Sequence, residues 1–288
     1  MSIATHYKSD SLPLWKWILE LILGVILFTV LYGIGIGFWG IPQPVAKDVA
    51  VLIVAVFILA IFRRWTRLFE KQWKWELLAR NEGKNILCGV LIGFSFFVLL
   101  TGLLYVTGCY SIQYVSPHWS DIISNLCLFF LVACCEEVIF RGVIFRLIDD
   151  RFGLWWALGI SALIFGFAHM FNPGASIWSS VAIVMEAGIL LGAAYKYSNS
   201  LWLPIGIHWA WNFTQGNVFG FAVSGEDAGE SIFTANIDGP DFITGGSFGP
   251  EASVIALLLG TIISAFFLWK ILKPIQAATL QGGLSSNE

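Results

Sequence analysis

The sequence predicts an all-α, polytopic membrane helical bundle of about eight transmembrane helices, with one amphipathic helix lying at the interface. Three observations carry that prediction. Of the 288 residues, 57% are hydrophobic and only 12% are charged, where soluble domains run near ~25% charged. The apolar residues come as long unbroken runs, not as the alternation of an outer-membrane barrel. Lys and Arg collect in every second connection, as the positive-inside rule requires of a multi-pass chain. Residues 1–288 read as one integral domain with no internal repeat. The net charge of −3 is small and the basic residues sit in loop-like stretches, so binding to nucleic acid has no support.

Residues 1–13 are polar. The first span is 15–40, with Trp15 and Trp17 as an aromatic anchor at one interface. No small-residue cleavage site follows the early charges, so this span is expected to stay in place. Pro42 and Pro44 make a turn, and 45–62 is a short second span. Residues 63–84 interleave Arg63, Arg64, Arg67, Lys71, Lys74, Arg80 and Lys84 with Trp and Leu, the pattern of an interfacial helix. The third span is 85–107. A polar connection, 108–120, contains Pro117 and His118. The fourth span runs from about 121 to 147. The fifth is 153–171, stopped by Asn172-Pro173-Gly174. The sixth, 175–195, contains Glu186, and the seventh, 201–221, contains Pro204 near its start. Residues 222–250 are acidic, Gly-rich and free of Lys and Arg; 252–271 is the eighth span, with Lys270 and Lys273 at its end. With 63–84 in the cytoplasm, only Lys47 falls outside, and both termini are cytoplasmic. The five cysteines lie in or beside apolar runs without a CxxC spacing and read as reduced thiols packed as small apolar residues.

The stretch Cys134-Cys135-Glu136-Glu137-Val138-Ile139-Phe140-Arg141 puts two adjacent carboxylates into an apolar span. Each ionised carboxylate there costs ~2.5–3.5 kcal/mol on insertion scales, so the default reading of such a site is functional. On a helix, Glu137 and Arg141 are spaced i,i+4 and can pair. Glu136 lies about 100° round from Glu137 and is the carboxylate freer for chemistry. His169 in the fifth span, and His208 and Asn212 four apart on one face of the seventh, are polar residues that cannot face lipid. A carboxylate and an imidazole together can take a proton from water. A second imidazole and a carboxamide can hydrogen-bond the oxyanion formed when water attacks a carbonyl. Alternatively, Glu136, His169 and His208 form a ligand set for a divalent metal such as zinc. The HExxH spacing of metalloproteases is absent. By these boundaries His169 lies late in its span and His208 early in its own. A helix break near Pro204 or Gly206 would bring them level.

Glu136-Glu137-xxx-Arg141, Phe165-xxx-His169 and His208-xxx-Asn212, in that order on successive spans, resemble the signature of the CPBP family of intramembrane endopeptidases. That family comprises type II CAAX prenyl proteases and the bacterial Abi, or bacteriocin-processing, proteins. The resemblance covers about residues 120–215. It implies an eight-helix membrane fold and hydrolysis of a peptide bond in a membrane-anchored protein or peptide, within the lipid bilayer of what would be a bacterial cell membrane. It assigns water activation to Glu136 and His169 and the oxyanion site to His208 and Asn212; by the residue reading, Glu137 and Arg141 then support them, holding the helix and biasing the charge of Glu136. The family is also often labelled metalloprotease, so the metal question stays open. Glu186 reads as a structural or a cavity residue. Two rival functions remain at this level. One is a proton-coupled transporter relaying protons through the buried acids, which an inverted repeat would favour. The other is a non-catalytic immunity or binding protein of the same fold, which a missing motif residue would signal.

Overall fold

A computed structural model describes residues 13–70 and 81–285. The long helices are α1 (Leu14–Gly37), α2 (Pro44–Glu70), α3 (Glu82–Val106), α4 (Trp119–Glu137), α6 (Leu154–Ala168) and α11 (Val254–Ser285). Short helices α5 (Arg146–Phe152), α7 (Ile177–Ile183), α8 (Ile189–Ser198), α9 (Trp202–Phe213) and α10 (Asp241–Thr244) complete the bundle. Among the described residues, seven segments are long and apolar enough to cross a membrane. Two of them, Trp119–Phe152 and Ile177–Ser198, are 61% buried in their most apolar window, against 17–33% for the rest. The span carrying the paired carboxylates is therefore central, and α1, α2, α3 and α11 turn Ile18, Ile53, Leu91 and Ile262 outward to lipid.

Three wide, π-helical stretches interrupt the central elements: Val138–Phe145 between α4 and α5, Val184–Gly188 between α7 and α8, and Thr214–Val218 after α9. Such insertions concentrate at functional sites.

The seventh predicted span is shorter than expected. α9 has 12 residues plus the wide turn, below the length of a crossing helix, and is almost wholly buried. It can be short because protein covers it. α3 lies against it through glycines: a Cβ on Gly89 would stand 2.4 Å from Leu203 O, and one on Gly93 2.4 Å from Ile207 O. Small residues that let backbones touch are the usual glue between membrane helices. Phe96 stacks on Trp211 at 4.0 Å between centroids. The break expected near Pro204 and Gly206 does not occur. Pro204 falls in the first turn of α9, where its missing N–H costs nothing.

Residues 63–70 are also corrected: they are the last turns of α2, not the start of a separate interfacial helix. Trp65 is buried against Phe28, at 6.2 Å, instead of lying on the membrane surface. Lys84 belongs to the first turn of α3. Residues 71–80 of that predicted helix, and His6, lie outside the described residues. The two connections read as loops contain paired strands, β1 (Tyr110–Val115) and β2 (Phe233–Ile237), antiparallel with Tyr110 opposite Ile237. Tyr110 is buried there and donates a hydrogen bond to Phe219 O at 3.0 Å.

Candidate active site

Glu136 and Glu137 are the last two residues of α4 before its helix widens. Glu137 is fully buried, and its Oε1 accepts from Arg141 Nη1 at 3.0 Å and from His208 Nδ1 at 2.8 Å. Arg141 is itself fully buried; its Nη2 donates to Gly188 O at 3.2 Å in the widened turn of the neighbouring span. The predicted i,i+4 pair thus forms and is extended to His208. An ionised carboxylate only accepts, so His208 carries a proton on Nδ1. Its Nε2 then faces Glu136 Oε2 at 3.9 Å. That gap is too long for a hydrogen bond and of a size that one water spans.

Glu136 Oε1 accepts from the hydroxyl of Tyr32, on α1, at 3.3 Å, while Oε2 accepts no hydrogen bond. His169 begins the 3-10 turn that ends α6. Its Nδ1 lies 2.8 Å from Phe165 O. A carbonyl only accepts, so this nitrogen holds the proton and Nε2 keeps its lone pair. The ring of Phe165 contacts both imidazoles, 4.9 Å from His169 and 6.0 Å from His208, which brings the two onto one aromatic neighbour. Arg141 covers the same ring at 4.5 Å. Asn212, one turn beyond His208 on α9, is 7% exposed.

Glu136, His169, His208 and Asn212 all line one cavity of about 910 Å³, together with Tyr32 and Asn125. Drug-sized ligand sites run ~300–1,000 Å³, and the space is of that size. Glu186 is not brought to it. It is fully buried against α11, where a Cβ on Gly260 would meet it at 2.7 Å, and neither of its carboxylate oxygens has a hydrogen-bond partner. The three-ligand metal set of Glu136, His169 and His208 is not assembled either. Among the described residues, no three His, Cys, Asp or Glu are grouped to hold a metal ion.

Two residues of the site escaped the sequence reading. Tyr32 is one of them; a lone hydroxyl in an apolar run was its only signal. Glu251 is the other, buried beneath the histidines beside a second, water-sized space of about 20 Å³. Glu251 Oε1 accepts from Trp211 Nε1 at 3.1 Å and Oε2 from Ser224 N at 2.6 Å. Ser224 O in turn accepts from Asn172 Nδ2 at 2.9 Å, three residues beyond His169. Glu251 therefore ties the loop at 223–226 to both histidine-bearing elements. The turn is pressed so close that a Cβ on Gly225 would stand 1.9 Å from Pro173 O. Nothing local in the sequence marks a loop glutamate for burial by contacts 27 and 40 residues distant.

Fold and site together define an integral, multi-pass membrane protein with an open cavity into which its central helices place polar side chains. Residues 118–214, about a third of the chain, match the family model described as Type II CAAX prenyl endopeptidase Rce1-like, in line with the CPBP resemblance. That is a protease family, and the matched stretch contains all three motifs. A comparison with curated proteins found no match to this chain.

Proposed function

We propose that this protein is an intramembrane endopeptidase that hydrolyses a peptide bond of a membrane-anchored protein or peptide with a water activated by Glu136 and His169. The observation that carries this reading is the convergence of Glu136, His169, His208 and Asn212 on one cavity inside an apolar bundle. Glu136 takes a proton from the water through its unengaged Oε2, and the lone pair on His169 Nε2 orients the same water. The resulting hydroxide bonds to the scissile carbonyl carbon. Asn212 Nδ2 donates to the oxyanion, and His208, with Nδ1 committed to Glu137, donates from Nε2 as an imidazolium complemented by the two glutamates. Glu136 then returns its proton to the amide nitrogen, the C–N bond breaks, and an acid and an amine leave. Glu137 and Arg141 hold the His208 ring. No step is routed through a metal; among the described residues no three His, Cys, Asp or Glu are grouped to hold an ion.

The test is cleavage of membrane peptides by the purified protein, with N-terminal proteomics of membranes carrying native protein or Glu136→Ala to name the substrate. Loss of new N-termini with Glu136→Ala is expected. Cleavage by this variant at the native rate would overturn the reading.

A further inference from the structure

We propose that the cavity opens on the extracytoplasmic face, and that the substrate is a membrane-anchored polypeptide whose scissile segment emerges on that side. The inference about substrate rests on the peptidase reading above; the inference about side does not.

The two ends of the bundle differ sharply in charge. Of the twelve Lys and Arg among the described residues, ten lie at one end, Arg141 is buried in the middle, and Lys47 alone lies at the other. Contacts knit the basic end together. Trp17 Nε1 of α1 donates to Leu147 O of α5 at 3.0 Å, and Arg151 stands 5.7 Å from the Trp17 ring. Arg146 stands 5.8 Å from Phe62 of α2, and Lys196, at the end of α8, pairs with Asp149 at 2.5 Å. Clustered Lys and Arg beside short loops stay in the cytoplasm, so this end, with Lys16 near the start of α1 and Lys273 in α11, is cytoplasmic.

The cavity reaches the other end. Its walls run from Glu136 at mid-depth to Trp39, Lys47, Asp121, Asn172 and residues 226–230, with Ile144 lining it on the side of the basic end. Asn125 Nδ2 donates to Ala228 O at 2.8 Å, fixing the loop at the rim. None of the ten cations of the basic end lines it. A polypeptide presented from the cytoplasm, such as a prenylated C-terminal tail, would have to pass the packed core around Arg141 and Phe145, which is fully buried. One presented from outside meets Glu136 directly.

The side is tested with the full-length protein in intact cells and a membrane-impermeant maleimide, using Glu230→Cys at the rim and Lys273→Cys at the basic end, against the native chain as background. Labelling of Glu230→Cys in intact cells, and of Lys273→Cys only after permeabilisation, is expected; the reverse pattern overturns the proposal. The substrate is tested with two single-span reporters bearing the same scissile segment on either side of the membrane. Cutting of the extracytoplasmic reporter alone supports the proposal. Cutting of the cytoplasmic reporter, alone or as well, overturns it and leaves the peptidase reading standing. If neither is cut, the peptidase reading and the substrate claim fall together, and the labelling still decides the side.

Discussion

Gly93→Ala tests whether the spacing of α3 and α9 sets the geometry of the site. The added Cβ would lie 2.4 Å from Ile207 O, 3.0 Å from Trp211 N and 3.2 Å from the Ala210 Cβ. Ordinary contact begins near 3.4 Å, and backbone cannot rotate away as a side chain can, so α9 must retreat by about 1 Å. The atoms pushed belong to the residues just before His208 and Asn212. Overpacking of this kind costs ~1–3 kcal/mol, which a bundle tolerates. A 1 Å misplacement of reacting groups costs on the order of 10²-fold in rate. The expected result is a folded protein with kcat for a membrane peptide lowered about 10²-fold and KM little changed. Gly102→Ala on the same helix is the control, since nothing lies within 4 Å of its Cβ. It should leave activity intact and stabilise the helix by up to ~1 kcal/mol. Thermal unfolding in detergent follows stability, and peptide turnover follows kcat. A Gly93→Ala enzyme within threefold of native turnover would refute the reasoning.

Three further outcomes are expected. Arg141→Ala strips Glu137 of its guanidinium partner in the core and leaves it His208 alone, a loss of up to ~3–5 kcal/mol, read as a lower unfolding temperature; adding Glu137→Gln should recover part of it. Glu251→Ala strips the acceptor from Trp211 Nε1 and Ser224 N, at ~1–3 kcal/mol for each buried donor left unsatisfied. Limited proteolysis should then reach the loop at 223–226 that the native protein protects. Burial pushes the Tyr110 hydroxyl from 10.0 up to about 12. Its folded value exceeds the unfolded one, so its contribution to stability is complete below pH 10 and is lost as pH rises through 12. Tyr110→Phe should flatten that alkaline decline in a stability–pH curve.

The spans and the motifs were legible because lipid imposes a rule on every residue it touches. A run of apolar side chains must be a buried helix, and Glu136, His169, His208 and Asn212 must turn inward. The errors fall where another protein element replaces lipid or water as the neighbour. α9 is 12 residues long because α3 covers it, and hydropathy alone cannot register a covering helix. Residues 63–70 carry three arginines, yet the helix persists because Trp65 packs inward on Phe28. The polar connections form a strand pair because Tyr110 and Ile237, far apart in the chain, meet across it. Glu186 was visible as a buried acid, but its distance from the cavity depends on α11, which no spacing encodes.

The widened stretch at Val138–Phe145 makes the reading frame of this span matter more than its hydrophobicity. Letting the stretch tighten into an ordinary helix with every residue kept would swing everything beyond it by about 100°. Arg146 and Leu147, which now meet α1 and α2, would point elsewhere while the glutamates kept their place. A designer who grafted this segment onto a regular helix, keeping every side chain, would obtain either the acids or the anchor in phase, but not both.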